Sequence, residues 1–234
     1  MTHTALSPTP RSTVKRTGER ARTDRTELYE LLDSCLICHL GVVLDGAPVV
    51  LPTGYGRDGD TLYLHGSTGA ASLRAAVAGS PVSVAVTRVD GVVYARSVFH
   101  HSMNYASAVI HGTAVVLTDL EDKLTGLRAL TEHLAPGSWE ATRQPTRKEL
   151  AKTTVLALSL HEASVKIRSG PPKDEDEDVE AAAVWAGVLP LHQSWGDPEP
   201  CPLLPEGFAT PERVVKRKNG RFRTELAASS APPP

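Results

Sequence analysis

Two Asp-Gly pairs, Asp45-Gly46 and Asp90-Gly91, each stand between apolar runs rich in valine. Asp-Gly tolerates the positive φ angles of a two-residue turn, so each pair predicts a hairpin. The first joins 36–44 to 47–53, and the second joins 82–89 to 92–98. Gly59-Asp60 marks another turn before a short strand at 62–65. Further strands are predicted over 107–117, with Gly112 as a bulge, and over 155–160 and 164–167. Many short strands with few helices imply a closed antiparallel sheet, because closure removes exposed strand edges. The expected class is mainly β with flanking helices. With only 5% aromatic residues, its core must be built from Val, Leu and Ala.

The helices frame the strands. Asp24 caps a helix carrying Leu28, Leu31, Leu32 and Cys35 on one face, with Glu27 in the reciprocal capping position. Ser67 or Thr68 caps a helix over 69–78, ended by Gly79-Ser80-Pro81. Thr118 opens a third, with Glu121 in capping-box spacing and a leucine stripe from Leu120 to Leu134. Thr146 and Glu149 frame a short fourth.

Five regions follow. Residues 1–22 read as a disordered basic tail, 23–170 as the barrel domain and 171–180 as a solvated acidic loop. Residues 181–214 read as a segment docking back on the barrel through VWAGVLPL (184–191), and 215–234 as a second disordered tail. Trp185 and Trp195 are expected to pack that segment.

Composition excludes several classes. A net charge of −2 gives no bulk attraction to nucleic acid or membranes, and the basic tail has no interleaved aromatics for base stacking. No signal peptide or run of about 18 apolar residues is present, so the expected location is the cytoplasm. Three cysteines make no disulfide framework. Cys35-x-x-Cys38-His39 has zinc half-site spacing, but without a second pair these cysteines read as small buried hydrophobes. No Ser-His-Asp, G-x-S-x-G or Walker pattern appears.

The segment LYLHGSTGAAS (62–72) carries the chemistry. A strand delivers His65 and then Gly66, Ser67, Thr68 and Gly69 to a helix start, where backbone N–H groups, hydroxyls and the helix dipole favour an anion. Ser72 and Arg74 follow on the helix. His100-His101 could ligate haem iron, although neighbours on a strand face opposite ways. Arg96, unusual in a strand, is expected to meet a phosphate or a carboxylate at a subunit interface.

The ordered segments VVLPTGY (49–55), LYLHGSTG (62–69), PVSVAV (81–86), ARSVFHHSMNYASAVIHGTA (95–114) and ASVKIRSGPP (163–172) resemble the pyridoxamine 5′-phosphate oxidase-like superfamily, and within it the nitroimidazole-resistance branch of FMN-binding split barrels. The resemblance implies a dimeric split β-barrel with FMN in clefts between subunits. It places Val50, Leu51, Pro52 and Thr53 against the flavin ring, and His65 with the 66–69 loop near the ribityl chain and phosphate. Asn104 and Tyr105 line the cleft. The family's basic residues after the loop are replaced by Ala70, Ala71 and Ser72, and another by Ala106. Arg74 or Arg96 would have to compensate.

The implied activity is an FMN-dependent oxidoreductase passing electrons to a small planar acceptor, nitroaromatics among them, with His65 or Tyr105 as proton or hydrogen-bond donor. Two other readings stand beside it. One is a haem-binding split barrel. The other is a non-enzymatic flavin-binding or sensor protein.

Overall fold

The structure, a computed structural model, describes residues 5–6, 9–70, 73, 76, 79–181 and 184–219. Eleven strands form two antiparallel sheets among these residues. The larger sheet runs β1 (Ala21–Arg22), β10 (Ala163–Arg168), β7 (Ser102–Thr113), β6 (Pro81–Tyr94), β2 (Ile37–Leu44) and β3 (Ala47–Gly54), with β11 (Gly187–Pro190) also on β6. The smaller runs β4 (Gly56–Asp58), β5 (Thr61–Ser67), β9 (Thr153–Ser159) and β8 (Val115–Val116). The mainly β class and the antiparallel pairing match the sequence expectation.

The first Asp-Gly is a hairpin: Asp45 and Gly46 have φ of 50° and 79°, as a type I′ turn requires, and β2 pairs with β3 from Leu44↔Ala47 to Ile37↔Gly54. The second is not. β6 runs unbroken through Asp90-Gly91, which forms a bulge against β7 where the register shifts between Val89 and Gly91. The bulge changes which face is buried. Val82, Val84, Val86 and Arg88 point inward before it, and Gly91 and Val93 after it. Two contacts hold the chain straight: Arg88 Nε donates to Asp90 Oδ1 at 2.7 Å, and β11 lies so close that a Cβ on Gly91 would meet Leu189 O at 2.8 Å. Gly112, expected as a bulge, stays in register with Val82; its bare α-carbon makes room for Leu158 instead.

Helix α1 (Arg25–Ser34) is capped by Asp24, which accepts from Thr26 N, and buries Leu28, Leu31 and Leu32. Glu27 pairs with Arg22 rather than reaching back to the cap. Arg25, itself buried, donates to Asp60 and to Leu160 O, so one side chain ties α1 to two strand turns. Helix α2 (Leu120–Leu134) is capped by Asp119, not Thr118: the Asp119 carboxylate accepts from Glu121 N and Asp122 N. Helix α3 (Ser138–Ala141) follows, and α4 (Arg147–Lys152) shows the expected Thr146–Glu149 capping box. Of the 69–78 helix, Leu73 and Ala76 are helical and buried, while most of that stretch lies outside the described residues.

The chain passes from the larger to the smaller sheet at Gly54-Tyr55-Gly56. Tyr55 is almost wholly buried, and its hydroxyl lies 2.5 Å from Leu32 O and 3.0 Å from Cys35 O. The His133 ring stacks on it at 4.7 Å and donates from Nε2 to Cys35 O. Gly56 meets α2 backbone to backbone: a Cβ there would sit 2.5 Å from Ala129 C. Cys38 is fully buried and its thiol is pushed up to about 12 by desolvation, as an inert core residue should be. No group of three or more metal-ligating side chains exists among the described residues, and no helix there is long and apolar enough to cross a membrane.

The amino-terminal segment is more ordered than a solvated tail. Leu6 and Ser12 are buried, Arg11 forms a two-pronged pair with Glu162, and β1 pairs with β10. At the other end β11 pairs with β6, and α5 (Asp176–Ala181) and α6 (Glu212–Asn219) follow the barrel.

Gly56→Ala should destabilise the protein by about 2 kcal/mol or more, because backbone cannot yield to the new methyl as a side chain can; the midpoint of urea unfolding checks this. Burial holds the His133 pKa below its ordinary value, despite the carbonyl of Cys35. A base depressed in the folded state binds fewer protons than the unfolded chain between the two pKa values. Stability should therefore be intact above about pH 6.5 and fall as pH drops below it. His133→Gln should flatten that part of the pH–stability curve.

Candidate functional site

Strand β5 pairs with β9 through Ser67↔Thr153, burying Leu62 and Leu64 on one face and exposing His65 on the other. A Cβ on Gly66 would lie 2.4 Å from Leu73 Cδ1, so the bare α-carbon leaves room for that leucine side chain. Ser67 Oγ accepts from Gly69 N at 3.2 Å, Ala70 N donates to Ser67 O at 2.9 Å, and Thr68 N donates to Lys152 O at 3.1 Å. The N–H groups of 68–70 are thus taken by protein acceptors. The exposed polar side chains of this turn are those of Ser67 and Thr68. Ser72 and Arg74 lie outside the described residues. Desolvation lowers the His65 pKa, which favours the neutral imidazole near pH 7.

Val50, Leu51, Pro52 and Thr53 lie on β3, the terminal strand of the larger sheet. Alternate backbone groups of a terminal strand point away from its neighbour, and Pro52 removes one donor from that row. Val50 is 65% exposed. Pro52 sits across from His39 on β2, both exposed. Because β3 leads through Tyr55 into β4 and β5, the edge and the His65 turn are held by one short, bolted connection.

Of the remaining expected residues, Asn104 and Tyr105 lie on β7 of the larger sheet, whereas Arg96 lies in the bend after β6 and not in a strand as expected. Asn104 is buried: Oδ1 accepts from Arg168 Nη1, and Nδ2 donates to Gly170 O at 3.2 Å. Arg168, also buried, reaches Gly170 O and Pro171 O as well, and desolvation lowers its pKa. Tyr105 is half-buried on the opposite face of β7, across from Val89 and Arg168.

Arg96 does find a carboxylate, but within its own chain. Asp174 accepts from the Arg96 N–H at 2.9 Å and from Nη1 at 2.8 Å, with 1% of the aspartate side chain exposed. Burial pushes the Asp174 pKa up, but these bonds more than offset it and hold it below the usual range. The first acid of the 174–178 run is therefore a tether, not a solvated charge. His101 Nδ1 accepts from Ala95 N at 2.8 Å, and His100 Nε2 lies 3.5 Å from Glu175.

Sequence reasoning missed Arg168 and Asp174. Arg168 had a signal: it ends the alternating run ASVKIR next to a buried position. Asp174 had none, being one acid among five.

Residues 24–167 match the family model for pyridoxamine 5′-phosphate oxidase. The chain belongs to the pyridoxamine 5′-phosphate oxidase family. A comparison with curated proteins finds no match. Among solved structures, this family member resembles the flavocytochrome Anf3 from Azotobacter vinelandii at 36% identity and TM-score 0.85, covering 90% of this chain and 98% of that one. It resembles the FAD and haem binding protein from Mycobacterium smegmatis at 43% identity and TM-score 0.83, covering 87% and 99%. A 5-nitroimidazole antibiotic resistance protein from Bacteroides thetaiotaomicron shares the fold at 20% identity and TM-score 0.54, over 63% of this chain and 86% of that one.

Asn104→Ala should lower stability by about 1.5–3 kcal/mol, since it removes a hydrogen-bond partner from a buried guanidinium. Chemical denaturation compared with Tyr105→Phe, expected to be near neutral, checks this.

Proposed function

We propose that this chain is a flavin-dependent oxidoreductase that works as a homodimer and passes electrons to a small planar acceptor, nitroaromatic compounds being one class to test. The observation that carries the reading is the likeness, at 36% and 43% identity and over nearly their whole lengths, to a flavocytochrome and a FAD and haem binding protein. The bound flavin would supply the redox chemistry. The protein's part is to bind, orient and exclude water.

The residues fit a flavin in a particular way. The open β3 edge, Val50 to Thr53, offers backbone groups to the polar rim of a flat ring, and Ser67 and Thr68 offer hydroxyls to phosphate oxygens. The sequence resemblance implies FMN, but the turn favours FAD. A terminal phosphate carries roughly 1.5–2 negative charges, whereas each phosphate of a dinucleotide carries about one. A hydroxyl turn with Ala70 beside it, and with Arg96 neutralised by Asp174, suits the less charged group. His65, neutral and exposed, would hydrogen-bond the acceptor at the ring, and Tyr105 would reach the cleft from the second subunit.

The second subunit is supported by apolar exposure. Ile37, Val43, Val50, Val92 and Met103 on the larger sheet are each 44–65% exposed, and Val98 and Phe99 beside it about 90%. Patches of this kind mark subunit interfaces.

A second reading adds haem, since one relative is a flavocytochrome and the other a FAD and haem binding protein. His100 and His101 are poor ligands here, since one faces Glu175 and the other spends Nδ1 on Ala95. His39, His65 and His192 are exposed and make no described hydrogen bond, so their lone pairs are open to iron; of these, His39 lies across from the β3 edge and His65 on the candidate turn.

Acid release of the chromophore from the purified protein, followed by chromatography, should yield one FAD per chain. Recovery of FMN would replace FAD with the mononucleotide, and a colourless protein that binds neither flavin would overturn the reading. Sedimentation should give a dimer, and Val50→Lys should shift it toward monomer by at least tenfold in dissociation constant. If haem is present, His39→Ala or His65→Ala should abolish its absorption band, and His100→Ala should not.

A further inference from the structure

A cavity of about 480 Å³ lies between the carboxyl end of α2 and the carboxy-terminal segment, outside every residue assigned to the flavin. Its volume is within the ordinary range for small-molecule sites. Most of its lining falls beyond residue 167, where the family match ends. The walls are mainly apolar and rigid: Trp195, Pro136, Pro198, Leu36 and Leu134.

The charge at this cavity is unbalanced. Arg213, Arg217 and Lys218 line it against a single carboxylate, Asp197, and Lys218 already pairs with that one. Arg217 lies over the Trp195 ring at 4.6 Å and donates to Leu134 O. It has no carboxylate partner among the described residues, and desolvation lowers its pKa. Among the described residues, Arg213 Nε is buried without a hydrogen-bond partner. A buried donor left unsatisfied is costly, and a guanidinium most readily takes a carboxylate.

We propose that this cavity binds an aromatic carboxylate: a flat apolar body of two or three fused rings against Trp195 and the prolines, with its carboxylate on Arg213 and Arg217. Flat, stiff walls suit a slab-shaped arene, and the surplus positive charge selects an acid over a neutral molecule of the same shape. The site is independent of the flavin reading, since none of its residues lies on β3 or β5.

The test is calorimetric titration of the full-length protein, as purified, with 2-naphthoate, 2-naphthalenemethanol and decanoate. Naphthoate should bind at one site per chain, at least tenfold more tightly than the alcohol or decanoate, and should weaken as salt is raised. Arg213→Gln should weaken it at least tenfold, and Val214→Trp, which fills the cavity, should abolish it. Both variants should keep the wild-type circular dichroism and chromophore content. Equal binding of acid and alcohol, preference for decanoate, no binding of naphthoate up to millimolar concentration, or binding unchanged in both variants would each overturn the proposal.

Discussion

The Tyr55 hydroxyl is the fastening on which the arrangement of this protein depends. It sits where the chain leaves one sheet for the other, and it hydrogen-bonds to the end of α1 while His133 of α2 stacks against its ring. Burial raises its pKa, so the group stays a neutral donor at any ordinary pH. On one side of it lies the β3 edge and on the other the strand that ends in His65. A residue that fixes the crossing therefore also fixes the distance between the two halves of the candidate flavin site. Gly56 completes the joint by letting the α2 backbone come into direct contact, which no other residue type would allow.

Much of this was legible in the order of turn residues and apolar runs. The first hairpin, the α1 cap and the Thr146–Glu149 box each follow from local chemistry that tertiary contacts do not override. Asp90-Gly91 failed as a turn because the same dipeptide suits a bulge, and the Arg88–Asp90 pair and the docking of β11 against Gly91 are what separate the two. The cap of α2 moved from Thr118 to Asp119 because the stronger acceptor, one residue along, reaches two N–H groups at once. The candidate site was less legible. The residue types at 65–69 mark the end of a strand and a turn, but whether their backbone donors face out or in depends on Lys152 O and on Ser67 O and Oγ, which spacing does not reveal.

A common theme links the arginines. Arg25, Arg88, Arg96 and Arg168 all reach inward to carbonyls, hydroxyls, an amide or a carboxylate of the same chain. Guanidinium groups so committed contribute to rigidity and are not free to clamp an anion. Among the described residues, Arg213, Arg217 and Lys218, by contrast, gather in the carboxy-terminal segment around Trp195.

β11 occupies part of the β6 edge that β2 leaves uncovered beyond His39↔Ala85. The residues after the barrel are thus stitched into its hydrogen-bonded ladder, with Asp174 anchoring the approach. An extension joined in this way is no detachable appendage. Any lineage that trimmed it back would expose a bare row of peptide groups on the longest strand, so its loss would demand a replacement strand from somewhere else.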